Sequence, residues 1–243
     1  MIMDRSLKRV TSLARKAIED YNMIADGDRV AVGVSGGKDS LTLLCALAEL
    51  SRYYPKKFTV TAVTLDMGFH ADWSGVKRLC DELDVEYIVK QTQIKDVIFD
   101  IRRESNPCSL CAKMRRGSLN DAVKEAGCNR VALGHHMDDA IETFFLSLFY
   151  EGRLNCFSPV TYLSRSDLYQ IRPMIYAEER LIRGAVKNNS LPVVSNPCPA
   201  DGETKREDMK RLIKTLEGGM QKGLKTRLFT AIRQGLPDWK TGG

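Results

Sequence analysis

The stretch "VAVGVSGGKDSLTLLCALAEL" at residues 30–50 runs from a strand-like apolar segment, through a glycine pair, into a helical pattern. Gly36 and Gly37 let the backbone turn with its N–H groups pointing inward, which makes a nest for an anion. The helix opening near Ser40 adds the positive end of its dipole. Lys38 supplies a point charge, and Ser35 and Ser40 supply hydroxyl donors. The spacing is not that of a Walker A loop, which needs four residues between its glycines and a Ser or Thr directly after the Lys. Here three residues separate Gly33 from Gly37, and Asp39 follows Lys38. The turn suits phosphate, but not hydrolysis of a γ-phosphate.

Outward from this turn, β-rich runs alternate with helical patterns. Strands are predicted at Arg29–Val34, Thr59–Leu65, Glu86–Lys90, Arg130–Leu133 and Gln170–Pro173. Helices are predicted near Ser40–Ser51, Ser74–Leu83, Lys95–Arg103, Ser109–Ala126, Asp138–Tyr150 and Ala177–Asn188. Such alternation predicts an α/β fold, an open and mostly parallel sheet with helices on both faces. Open α/β sheets bind ligands at the carboxyl ends of their strands. Ser35–Ser40, Asp66–His70 and Gly134–Asp139 all fall there. Residues 1–24 read as an amphipathic helix with Leu7, Val10, Ala14, Ala17, Ile18 and Tyr21 on one stripe. Residues 25–202 form the main domain. Residues 203–243 read as a basic helical tail packed on it, with Met209, Leu212, Ile213 and Leu216 at helical spacing and "EGGMQKG" as an interruption.

Two further segments carry chemistry. In "VTLDMGFH" (63–70), Asp66 ends a strand, where it serves either as a helix cap or as a ligand contact, and His70 reads as an exposed loop residue. In "VALGHHMDDAIETFFLSLF" (131–149), Gly134 allows close backbone approach, and Asp138 and Asp139 stand at a helix start. One acid suffices as a cap. Two beside a triphosphate suit Mg²⁺, a hard ion that prefers oxygen ligands.

Seven cysteines in a chain of cytoplasmic character argue against a disulfide framework. Cys45, Cys80, Cys128 and Cys156 read as ordinary small residues. "NPCSLCAKMRRG" (106–117) opens a helix with the pair Cys108 and Cys111, and Cys198 follows in "SNPCPADG". A C-x-x-C pair alone is open to redox, zinc or cluster roles. Structural zinc needs four ligands, and no second C-x-x-C or C-x-x-H is present. A thioredoxin-like role does not require Cys198.

SGGKDS after a hydrophobic strand resembles the PP-loop of the ATP pyrophosphatase superfamily, which has a HUP-like sheet and cleaves ATP between its α and β phosphates. GHHMDD resembles the GHxxDD motif of the tRNA-modifying branch. SGGKDS, PCSLCAKMRRG, GHHMDD and the cysteine after PVVSNP together resemble the tRNA 2-thiocytidine synthetase family over about residues 25–200. The resemblance implies ATP bound by Ser35, Gly36, Gly37, Lys38, Asp39, Ser40, Asp66, Gly134, His135 and Asp139, with His136 left structural. It implies Mg²⁺ on Asp138 and Asp139, and catalytic roles for Lys38, Asp39 and Asp138. It also implies a 4Fe–4S cluster on Cys108, Cys111 and Cys198, with one iron lacking a protein ligand. The enterobacterial form of the pattern has a late C-x-x-C, whereas here Cys198 stands alone before Pro199.

The implied reaction is ATP-dependent tRNA sulfurtransfer. The C2 oxygen of a cytosine is adenylated and then replaced by sulfur, giving 2-thiocytidine at position 32 of the anticodon loop. The implied partners are tRNA, a sulfur donor such as cysteine desulfurase or free sulfide, and a second copy of the chain in a homodimer. Rival readings are a 2-thiouridine synthetase with the same loop and cluster, a lysidine synthetase, which has no need of the cysteine trio, and a nucleotide-binding iron–sulfur sensor that does not catalyse.

The bulk numbers bound these readings. The chain of 243 residues, with 43% hydrophobic and 28% charged residues, suits one substantial soluble domain. No apolar run approaches the roughly 18–20 residues of a membrane span. The first residues carry acids and lack the apolar core of a signal peptide, so a cytoplasmic protein is expected. The charge of +6 is end-loaded: residues 203–243 carry a net +5 and residues 1–20 a net +2. That distribution suits either a polyanion such as nucleic acid or a solvated helix face. Lys113–Arg116, one turn past the cysteine pair, is open to the same two readings, steering an RNA phosphate or facing water.

Overall fold

The computed structural model describes residues 3–69, 71–101, 107–195, 205–219 and 223–240. Its centre is β1 (Asp28–Gly33), which pairs in parallel with β2 (Phe58–Asp66) on one side and β4 (Arg130–Ala132) on the other. β3 (Glu86–Gln91) extends the sheet in parallel beyond β2, and β6 (Leu168–Ile171) beyond β4. β5 (Val160–Leu163) closes that edge antiparallel to β6, giving the order β3-β2-β1-β4-β6-β5.

The strands are apolar on both sides because helices cover both faces. Val30, Val32 and Ala62 enter the larger apolar cluster, while the alternate residues Ala31 and Val63 enter a second one. The larger cluster is completed by α1 (Arg5–Asp20), α2 (Lys38–Tyr53), α3 (Ser74–Leu83), α5 (Met137–Leu146) and α6 (Glu179–Asn188). The second lies under α4 (Pro107–Glu125), which contributes Ala122 and Val123. The expected α/β architecture is what the chain adopts.

Several elements differ from expectation. The β5–β6 hairpin was not predicted, because its Ser-Arg-Ser-Asp turn lacks glycine and proline. Asp167 takes the left-handed conformation there (φ 49°), and Ser166 N–H donates to the Leu163 carbonyl at 3.0 Å. β6 also begins at Leu168 and ends at Ile171, before Pro173, whose missing N–H cannot continue a ladder. The segments predicted as Lys95–Arg103 and the end of Asp138–Tyr150 wind as π-helical turns, at Asp96–Ile101 and Ser147–Glu151.

The tail forms α7 (Lys205–Gly219), α8 (Leu224–Gly235) and a short 3₁₀ turn, Pro237–Trp239. Met209, Ile213, Phe229, Ile232 and Trp239 enter the same cluster as Leu7 and Val10 of α1. Trp239 is 1% exposed. Its indole N–H donates to the Phe157 carbonyl at 3.0 Å, and its own carbonyl accepts from Tyr21 Oη at 3.1 Å. The ring also stands edge-on to Phe229 at 5.6 Å. Trp239→Ala should therefore cost about 3–5 kcal/mol in urea unfolding, as for a core aromatic and not a tail residue.

Candidate functional site

The glycine turn folds as a tight cradle between β1 and α2. Gly36 has φ +78°, and a Cβ there would lie 2.8 Å from Val194 Cβ and 3.0 Å from Trp73 Cζ3. Only glycine meets both constraints. Val194 N–H donates to the Gly36 carbonyl at 3.0 Å, which ties the segment after α6 to the cradle. Ser40 Oγ accepts from Ser35 N–H at 3.2 Å and donates to the Gly37 carbonyl at 3.0 Å. The two serines thus hold the shape of the loop.

Lys38 reaches Asp39 Oδ2 at 3.0 Å and Glu179 Oε1 at 3.1 Å. Burial lowers its proton affinity, but Asp39 and Glu179 outweigh this and hold the ammonium above the usual lysine range. Glu179 also meets Arg183 at 2.9 Å and Lys210 at 3.5 Å. Burial raises its carboxyl, yet Lys38, Arg183 and Lys210 prevail and bring it down to about 2.

Gly134 brings the end of β4 against this cradle: a Cβ there would lie 3.0 Å from the carbonyl carbon of Asp39 and 3.1 Å from Ser40 N. The next two side chains part company. His136 has extended backbone (φ −124°, ψ −176°), so neighbouring side chains point to opposite sides. His136 caps α5, its Nδ1 accepting from Asp139 N–H at 3.4 Å while Asp139 Oδ2 accepts from His136 N–H at 2.9 Å. Its Nε2 lies 3.5 Å from Asp39 Oδ1. His135 turns to Phe157, ring centroids 4.9 Å apart, and its buried Nδ1 has no hydrogen-bond partner among the described residues. Burial first, then Arg172, pushes His135 down to about 4. Of the two, His136 is the imidazole beside Asp39, while His135 lies against Phe157.

The two adjacent acids are already engaged. Asp138 Oδ2 accepts from Glu179 N–H at 2.7 Å, and its Oδ1 pairs with Lys225 at 2.8 Å. Asp139 pairs through Oδ1 with Arg206 at 3.1 Å. Arg206, Lys210 and Lys225 come from α7 and α8, so part of the tail's positive charge is directed inward. Among the described residues, no group of three or more His, Cys, Asp or Glu side chains is gathered to hold a metal. The oxygens of Asp138 and Asp139 face donors and do not fit an ion in this arrangement. Asp39 Oδ1 suits one better: it is buried at the cradle and, among the described residues, accepts no hydrogen bond, with His136 Nε2 as its neighbour at 3.5 Å. A single carboxylate is enough for Mg²⁺ when phosphate oxygens and water complete the octahedron.

Asp66 closes a local turn, accepting from Gly68 N–H at 2.9 Å, and its carbonyl accepts from Thr92 N–H at 2.9 Å. His70 and Cys198 lie outside the described residues. Cys108 is exposed and Cys111 half-buried, in the first turn of α4. Leu119 of the same helix packs on Gly33, its Cδ2 3.1 Å from where a Cβ on that glycine would be. At 1.5 Å per residue, Cys111 and Cys108 stand about 12 and 17 Å beyond Leu119, past the carboxyl end of β1. Cys45, Cys80, Cys128 and Cys156 are buried. Burial pushes Cys45 and Cys156 up to about 12 and Cys80 to about 11, so these thiols stay protonated and inert.

Glu179, Arg206 and Lys225 were not singled out from the sequence, and His136 was left structural. The two acids of "AEER" after the last strand were a signal for Glu179; the tail cations carried none. Glu142 is a further buried carboxyl, 3.6 Å from Arg206.

Residues 7–216 match the PP-loop domain family. The chain is similar to the tRNA-cytidine(32) 2-sulfurtransferase of Citrifermentans bemidjiense, with 38% identity over 221 residues, 89% of this chain and 87% of that one. The enzyme of the same name from Geobacter sulfurreducens is 39% identical over 214 residues, covering 86% and 83%. Among solved structures, the U34-tRNA thiolase NcsA from Methanococcus maripaludis, with its 4Fe–4S cluster, aligns with TM-score 0.75 at 23% identity over 94% of this chain and 78% of that one. That likeness shows the fold.

Burial, then the Asp139 carboxylate, raises Glu142 from 4.5 to about 7. The folded protein then holds a proton that the unfolded chain has released, so stability falls as pH rises from about 4.5 through 7. Glu142→Gln removes this dependence. In urea unfolding the variant should gain on wild type by up to about 3 kcal/mol across that window. A difference that stays constant with pH would refute the raised carboxyl.

Proposed function

Because the chain belongs to the PP-loop domain family, and within it to the tRNA-cytidine(32) 2-sulfurtransferases, we propose that it converts cytidine 32 of tRNA to 2-thiocytidine at the expense of ATP. The observation that supports this most directly is the glycine cradle at the carboxyl edge of the sheet, past which α4 runs on to its thiol-bearing first turn.

The residues divide the work. Gly36 and Gly37 offer main-chain N–H groups to the triphosphate, and the start of α2 adds its dipole. Lys38, kept charged by Asp39 and Glu179, exchanges a carboxylate partner for phosphate oxygen as negative charge builds between the α and β phosphates. Asp39 Oδ1 is the oxygen available to Mg²⁺. Asp138 acts at one remove, fixing Glu179 through its backbone N–H and thereby the second partner of Lys38. The cytosine C2 oxygen attacks the α-phosphorus and pyrophosphate leaves. Sulfide then attacks C2, and the C–O bond breaks with AMP as the leaving group. An anticodon-loop base can be unstacked for this at modest cost.

Cys108, Cys111 and Cys198 would hold the 4Fe–4S cluster, whose open iron supplies a binding place for sulfide. Sulfur comes from a cysteine desulfurase or free sulfide, and the working unit is a homodimer in the cytoplasm. Among the described residues, no helix is long and apolar enough to cross a membrane.

Cys198→Ala should abolish 2-thiocytidine, read by nucleoside mass spectrometry, and leave ATP affinity unchanged. Lys38→Ala should lower tRNA-dependent pyrophosphate release about a hundredfold or more with iron and sulfide content intact. Retained thiolation in Cys198→Ala, or a colourless protein that binds one zinc after anaerobic reconstitution, would sink the cluster assignment.

A further inference from the structure

Arg172, at the carboxyl end of β6, is 6% exposed and has no carboxylate partner among the described residues. Its Nη1 is fixed by the Ser158 carbonyl and by Thr161 Oγ1 at 3.2 Å. Its plane lies over Phe157 at 4.9 Å. Its Nε is buried and donates to nothing, and Nη2 makes no hydrogen bond among the described residues. Nε and Nη2 form one edge of the guanidinium, the edge that grips two oxygens of a phosphate or carboxylate side by side.

This vacant fork has company. His135 lies against the same Phe157 at 4.9 Å, with Nδ1 buried and, among the described residues, unpartnered. Arg116, exposed on α4, stands one turn before Leu119, which meets Leu133 over Gly33 at the end of the strand next to β6. Burial first, partly offset by Cys156, and then Arg116 bring Arg172 down to about 10, still charged at neutral pH. The cluster thus joins two cations and a polar imidazole with an aromatic wall; Asp139 acts on the imidazole, and among the described residues no carboxylate pairs with Arg172. It lies two strands from β1, about 10 Å from the cradle.

We propose that Arg172, His135 and Arg116 form a second oxyanion site, separate from the glycine cradle, that takes a backbone phosphate of the RNA substrate next to the base being modified. This rests on the reading of the chain as a tRNA-modifying enzyme. The same phosphate chemistry could be offered by pyrophosphate, the product of the first step. The RNA source is favoured by Arg116, which is exposed and on the helix that runs past the edge, where a polymer and not a sealed-in product meets it.

The test measures binding of an anticodon stem-loop RNA at several salt concentrations, together with ATP and pyrophosphate affinities in the absence of RNA. Arg172→Gln should weaken RNA binding roughly tenfold to a hundredfold, and Arg172→Lys should restore little, since a point charge lacks the fork. Arg116→Ala, a surface change that does not endanger folding, should weaken RNA binding and reduce the salt slope by about one. ATP and pyrophosphate affinities should stay within about twofold of wild type. Weakened pyrophosphate binding with unchanged RNA affinity would overturn the RNA assignment. Unchanged affinities throughout would reduce Arg172 to a structural residue. If RNA binding falls as expected while tRNA from cells lacking the protein keeps all its thiolated nucleosides, the sulfurtransferase reading fails and the phosphate site stands.

Discussion

The contact of Gly134 with the first turn of α2 sets the geometry of the whole carboxyl edge. What a side chain at this position would strike is backbone, the carbonyl carbon of Asp39 and the nitrogen of Ser40, and backbone cannot rotate aside. Because β1 and β4 are parallel neighbours, the close approach brings the N-terminal ends of α2 and α5 together. Their dipoles add, and the first turns of both carry acids, Asp39 in one and Asp138 with Asp139 in the other. Placing His136 beside Asp39 is a consequence of the same approach.

Bringing so many carboxylates to one edge requires compensation, and the chain draws it from distant places. Lys38 comes from the cradle itself, Arg183 from α6, Arg206 and Lys210 from α7, and Lys225 from α8. The apolar side of the tail buries Met209, Ile213, Phe229 and Ile232 in the main cluster, and its ion pairs set where along the edge it docks. Glu142 shows how tight the balance is: with Asp139 nearby and Arg206 at 3.6 Å, its carboxyl still rises to about 7. The end-loaded charge of the sequence is thus partly an internal counterion, a third outcome beside solvated face and polyanion contact.

What the sequence made legible was local. The SGGKDS turn needs two adjacent glycines for backbone reasons that any reader of the chain can apply, and the apolar strands are long enough to announce themselves. Cys108 and Cys111 are an i, i+3 pair, which a helix places on neighbouring positions. The hairpin of β5 escaped because Asp167 takes a conformation usually signalled by glycine or asparagine. His135 and His136 are adjacent residues of equal chemistry, and only the face that the extended chain assigns each one sets His136 beside Asp39 and His135 against Phe157. The pairings Asp139–Arg206 and Asp138–Lys225 cross 67 and 87 positions, and no periodicity reports a partner at that distance.

The edge carries two kinds of positive charge, and they differ in what a ligand does to them. Lys38 rests between two carboxylates, so an arriving phosphate exchanges one set of ion pairs for another, and the net gain is modest. Among the described residues, Arg172 rests on carbonyl and hydroxyl oxygen and the face of Phe157, with no carboxylate, so the protein bears the cost of burying its charge. An anion that reaches its free edge relieves that cost and does not have to displace an acid. A compensated cation suits a nucleotide that must bind, react and leave. An uncompensated one, held rigid by Ser158, Thr161 and Phe157, suits a contact whose task is to fix position.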